Sequence, residues 1–208
     1  MAPPGLLTLK DLTSNSALRK WSAMCQLRTS CAIFCTVPFA NLAMVHLGGR
    51  IVSFDYFVAV HNDKWPTAKA VQTALERLGY PVSLASAPNE TFSIAKGTLG
   101  IPVIFDGHPV DLEADIEQAT DANDPESLWG YIAKCAAPNF AISDGDYFLT
   151  LTFRSDADQV RAGLYLAAAM ILAFDGYGFE NQFETHGRGE FADQLAAEAS
   201  DASAFEDG

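Results

Sequence analysis

The feature that most constrains this chain is a pattern that occurs twice: an aromatic-rich extended run, a polar corner, then apolar residues at helical spacing. Residues 147–153 read YFLTLTF, with Tyr147, Leu149, Leu151 and Phe153 alternating with Phe148, Thr150 and Thr152. Successive side chains of a strand point to opposite faces, so this run predicts a strand with two distinct faces. Val160, Leu164, Ala167, Ala168, Ile171 and Leu172 then recur along one helical face, predicting a helix over 156–173. Ser155 and Asp158 stand where a helix start recruits a hydroxyl cap and a negative charge. The earlier copy begins at residues 52–61, VSFDYFVAVH, a strand by its β-branched and aromatic content. Pro66 suits a first helical position, and Ala68, Val71, Leu75 and Leu78 supply the apolar stripe. Gly79 provides a left-handed cap and Pro81 prevents continuation.

Shorter elements fill the interval. Residues 82–84 read as a second strand, 86–100 as a loop or irregular crossing, and 101–105 (IPVIF) as a third strand. Asp106-Gly107 is a hairpin signal, with Val110 and Leu112 on the returning strand. A helix is expected over 126–136, opened by Pro125 and striped by Leu128, Tyr131, Ile132 and Cys135. A turn near 174–176 leads to a short final strand or edge segment. Strand–helix–strand units repeated around a hairpin resemble the split, ferredoxin-like arrangement, in which helices cover a mostly antiparallel sheet. The expected fold is α/β of the α+β kind, a two-layer sandwich. A small open sheet with helices on both faces is the alternative. The two units share a pattern rather than residues.

Charge and cysteine usage divide the 208 residues near position 51. Residues 1–50 carry five basic side chains (Lys10, Arg19, Lys20, Arg28 and Arg50) against Asp11, a net +4. The remainder carries 8 basic and 25 acidic residues, a net −17. Cys25, Cys31 and Cys35 fall in the first stretch and only Cys135 beyond it. Residues 1–50 therefore read as a leader, poorly ordered or peripheral. A single acidic domain follows over 51–183, then an acidic, alanine-rich tail over 184–208 with a short helix around 191–199. The uncharged run at 31–49 is broken by Pro38, Asn41 and His46, which makes a poor membrane span, and no Ala-x-Ala site follows it. The expectation is a cytoplasmic protein without stable membrane insertion, with export the alternative if the leader is a genuine targeting segment. The thiols lack a CxxC pair, which favours free cysteines over a zinc site.

An overall net charge of −13 argues against nucleic acid, whose phosphates recruit Lys and Arg, and suits a basic protein partner. Fourteen Phe are enough for a packed core rather than a disordered chain. No glycine fingerprint follows a strand and neither HExxH nor GxSxG occurs, so no cofactor is expected. His61, ending a strand beside Asp63, is a catalytic candidate with it, since a carboxylate and an imidazole make an acid–base pair. The plainer role is a half-exposed corner histidine. Asp111, Glu113, Asp115 and Glu117 alternate, so an extended backbone puts all four carboxylates on one face. Of these, Asp111, Glu113 and Asp115 are metal-site candidates. A solvated strand face running into an acidic helix start is the simpler reading, because no turn residues wrap the acids around an ion. Trp65 is a candidate binding anchor, and Asp175, Tyr177, Glu180 and Glu184 form a candidate aromatic–acidic patch unless the aromatics are core. The functional expectation is a non-enzymatic protein-binding module, an acidic inhibitor or immunity-type protein acting on a basic partner. A small hydrolase-like enzyme using His61 and nearby carboxylates, and a structural or oligomerisation module, are the alternatives.

Overall fold

A computed structural model of the chain describes residues 54–94, 100–137, 139–154, 156–181 and 185–201. In chain order they form β1 (Phe54–Val60), α1 (Ala68–Leu78), β2 (Val82–Leu84), β3 (Gly100–Phe105), β4 (His108–Gln118) and α2 (Leu128–Ala136). These are followed by β5 (Tyr147–Phe153), α3 (Ala157–Ala173), β6 (Tyr177–Glu180), β7 (Thr185–Gly187) and α4 (Gly189–Ser200). The seven described strands make one antiparallel sheet in the order β2-β3-β4-β5-β1-β6-β7.

The alternation in the two long strands sets the layers. Tyr56, Val58 and Val60 of β1 share a face with Leu149, Leu151 and Phe153 of β5, against the buried sides of α1, α3 and α4. Phe57 and Ala59 face the other way. There they join Phe148, Tyr177 and Phe179 beneath Trp129, Ile132 and Ala136 of α2. The fold is thus an α+β sandwich, with α2 on part of the second face as the open-sheet alternative has it. β1 lies between β5 and β6, so the two strand–helix units interleave. The β3–β4 hairpin stands between β5 and β2, so the resemblance to the ferredoxin-like arrangement does not extend to pairing of those two strands.

Helix starts differ from the sequence reading because side-chain caps decide them. Thr67 caps α1 by accepting from the Ala70 N–H at 3.2 Å, while the carbonyl of Pro66 accepts from Phe92 N–H. Ser127 caps α2 through the Gly130 N–H at 2.9 Å, leaving Pro125 and Glu126 outside the helix. Asp156 caps α3 by accepting from Gln159 N–H, and Ser155 lies outside the described residues. The β3–β4 turn has the chemistry expected of it: Asp106 and Gly107 take φ of 48° and 84°, suited to a two-residue hairpin. The returning strand, however, runs as far as Gln118, so the alternating acids stay extended and do not open a helix.

The core continues beyond the domain end expected at 183. β7 pairs with β6, and α4 buries Phe191, Ala192, Leu195 and Ala199. The leader at 1–50 and residues 202–208 lie outside the described residues. No helix among the described residues is long and apolar enough to cross a membrane.

Helix α3 is enclosed along most of its length, with every residue from Ala162 to Ile171 buried. Its alanines and Gly163 permit that approach: a Cβ at Gly163 would lie 2.3 Å from Phe153 Cε1. Ala is the better helix former by about 1 kcal/mol. Gly163→Ala should nonetheless destabilise the fold by about 1–3 kcal/mol through overpacking, measured by chemical denaturation. Gly189→Ala, where a Cβ meets no atom within 4 Å, should show no such loss.

Candidate functional site

His61 stands where β1 leaves the sheet, and its partner comes from the far side of the sequence. Its Nδ1 lies 3.1 Å from Asp146 Oδ2, and its ring stacks on Phe140 at 4.3 Å between centroids. A carboxylate only accepts, so the shared proton sits on Nδ1. Asp146 is 6% exposed and also accepts from the Asn62 N–H at 3.0 Å and the Ser143 N–H at 2.9 Å. It therefore ties the exit of β1 to the turn before β5. Asp63, the carboxylate adjacent in sequence, is exposed in the short 3₁₀ turn and is not the partner of His61. Strand pairing brings the start of β5 alongside the end of β1, with Val60 opposite Tyr147.

The same sheet end gathers more of the expected residues. Tyr177 is 1% exposed, stacks on Phe140 and on His186, and its phenol shares a hydrogen bond with His186 Nδ1. Burial first, and then Cys135, push that phenol up to about 12, so it remains a donor at neutral pH. Asp175 sits at a φ of 57°, a left-handed position that Asp tolerates, and its carboxylate pairs with both Lys64 and Arg188. Arg188 also lies 5.9 Å from the Phe140 ring centroid. Trp65 packs at the rim: it stacks on Tyr147 at 4.7 Å and donates from Nε1 to the Phe92 carbonyl.

The expected aromatic–acidic patch is not one surface. Tyr177 and Phe179 face α2, while Glu180 is 0% exposed and leaves the sheet on the opposite face. Glu184 lies outside the described residues. An open recess of about 450 Å³ beside α1, lined by residues including Lys69, Arg77, Asn89 and Phe174, is separate from His61.

On the second face, α2 packs over β1, β6 and Phe148 of β5, while Asp111, Asp115 and Glu117 of β4 are exposed. The register puts Asp115 opposite Thr150 and Glu117 opposite Phe148, so the alternating acids of β4 lie on that same face. Glu113 accepts two hydrogen bonds from Arg154, at 2.7 and 3.0 Å. Asp115 accepts from the N–H of Ile116 at 2.9 Å. Asp55 of β1 accepts from the Thr152 hydroxyl at 2.8 Å and extends the carboxylate surface across β5. Thr150, 8% exposed between these residues, has an enclosed Oγ1 without a hydrogen-bond partner. No group of three or more His, Cys, Asp or Glu among the described residues is placed to hold a metal ion, the trio Asp111, Glu113 and Asp115 included.

Comparison with protein-family models finds no match, and comparisons with curated proteins and with solved structures find no significant one.

Asp146 holds two backbone donors and one imidazole, whereas Asp63 faces water. Asp146→Ala should cost about 1–3 kcal/mol in a denaturant titration, because two part-buried N–H groups and the His61 ring lose their shared acceptor. Asp63→Ala should stay within about 0.5 kcal/mol.

Proposed function

We propose that this chain is a non-enzymatic binding protein that presents the carboxylate-bearing half of its sheet to a basic protein partner, as an acidic inhibitor or immunity-type protein does. The observation that carries the reading is the row Asp111, Glu113, Asp115 and Glu117 on the face that α2 leaves uncovered, adjoined by Asp55. Alternate residues of a strand lie about 7 Å apart, so this row offers regularly spaced anions on a stiff support. Like charges held at that spacing repel, and an incoming Lys or Arg relieves the repulsion. Arg154 illustrates the chemistry in miniature by engaging Glu113 through two hydrogen bonds. The net −17 from residue 51 onward would steer a cation toward the protein before contact.

A second reading, a small hydrolase, draws support from the His61–Asp146 pair, which orients an imidazole as a general base requires. It ranks second because, among the described residues, Asp146 is the hydrogen-bond partner of His61, and no hydroxyl or thiol nucleophile bonds to the ring.

A Lys/Arg-rich peptide titrated into the protein should shift backbone amide resonances of β4 and β1. Its affinity should fall about tenfold or more between about 50 and about 500 mM salt. The triple variant Asp111→Asn, Asp115→Asn, Glu117→Gln should weaken binding more than Glu76→Gln, Glu90→Gln, Asp193→Asn, which removes equal charge elsewhere. Equal weakening by the two triples would reduce the effect to net charge and sink the surface assignment.

A further inference from the structure

Helix α4 is seated by an apolar notch at one end and by an acid-bearing contact toward the other. Near its start, Phe191 packs where Cβ atoms on Gly178 of β6 and Gly187 of β7 would lie, 2.5 and 3.1 Å from its side chain. Near its end, Arg161 of α3 donates from Nε to the Ala199 carbonyl at 2.9 Å and lies 4.9 Å from the Phe105 ring centroid. Glu198 adjoins that bond. It follows buried Leu195 by three residues and buried Phe191 by seven, which puts it on the inward side of the helix. Its Oε1 is enclosed and has no hydrogen-bond partner.

The groups around Glu198 offer little to an anion. Tyr56 of β1 is 1% exposed, and its hydroxyl also lacks a hydrogen-bond partner. Glu180 of β6 is the cross-strand neighbour of Tyr56, so both side chains leave the sheet on the face that α4 covers. On β7, Thr185 donates to Glu180 Oε2 at 3.4 Å, whereas His186 stacks on Tyr177 and Phe179 of the other face. From α3, Arg161 is committed to the Ala199 carbonyl and to Phe105, and Tyr165 stacks against Tyr80. On α4 itself, Glu190 and Asp193 are exposed.

An ionised carboxylate enclosed beside a second carboxyl and an undissociated phenol loses hydration and meets like charge. Burial first, and Glu180 second, raise Glu198 from 4.5 to about 7. Burial, followed by Glu198 and Glu180, holds Tyr56 well above an ordinary phenol, so it stays neutral at neutral pH.

We propose that the inner end of α4 is a pH-sensitive latch, seated against β1 and β6 while Glu198 is protonated and loosened when that proton passes to solvent. Between 4.5 and about 7 the folded protein retains a proton that the unfolded chain has released. The stabilisation from seating is therefore complete below 4.5 and is lost as pH rises through about 7. Loosening would begin at α4 rather than in β1 or β5, because Glu198 is carried by the helix.

Hydrogen exchange of the full chain, corrected for the intrinsic pH dependence of amide exchange, tests this directly. Between about pH 5 and about pH 8, protection of α4 amides should fall about tenfold or more while β1 and β5 change little. Glu198→Gln, neutral throughout, should keep α4 protected at both values. Equal α4 protection at both values in the unaltered protein, or the same loss in Glu198→Gln, would overturn the proposal. Carbon-13 titration of the Glu198 carboxyl in the unaltered chain gives a check that needs no variant: a midpoint near 7 supports the latch, and one near 4.5 rejects it.

Discussion

The structure depends on β1 being packed on both sides. It pairs with β5 along its whole length and with β6 on its other edge, and its alternate side chains enter two separate apolar clusters. Burial of a Phe- or Tyr-sized side chain stabilises by roughly 1.5–3 kcal/mol, so Tyr56, Phe57, Val58 and Val60 together anchor both layers. The alternation also divides the chemistry. Tyr56 and Glu180 leave the sheet toward the three-helix layer, whereas Asp55 shares the opposite face with the acids of β4. A one-residue slip of register would exchange the two sets.

Acidity in this chain therefore serves more than one physical end. Asp146 is a buried acceptor that fixes the exit of β1, and Asp175 collects two cations where α3 turns into β6. Glu180 and Glu198 lie between β6 and α4, where burial rather than solvation governs them. The row on β4 differs because its strand is extended and α2 stops short of it. Net charge alone does not distinguish these roles; the packing over each carboxylate does.

Much of the framework was legible in sequence. The YFLTLTF alternation, the helical stripes of α1 and α3 and the Asp106-Gly107 turn all appear where local patterning puts them. The stripe of α2 announces a helix but not the sheet face it covers, since β1 and β5 each carry aromatic side chains on both faces. β7, only Thr185–Gly187, is too short and too polar to carry a period. The insertion of β3 and β4 between β5 and β2 follows from long-range pairing, which no local run encodes. His61 was identifiable, but its partner lies 85 residues away in sequence, and only strand pairing brings the two together. Glu198 did leave a signal, because it continues the Phe191–Leu195 face of a helix expected in that region. Glu180 left a weaker one, as a lone acid ending an aromatic strand.

Packing sorts the carboxylates into exposed groups and enclosed structural ones. Carbodiimide labelling of carboxyl groups in the native protein, read residue by residue by mass spectrometry, measures that sorting. Asp111 and Asp115 are expected to label rapidly, with Asp146 and Glu180 reacting only once the chain is unfolded. Labelling of Asp146 and Glu180 in the native state at the rate of Asp111 would contradict the account.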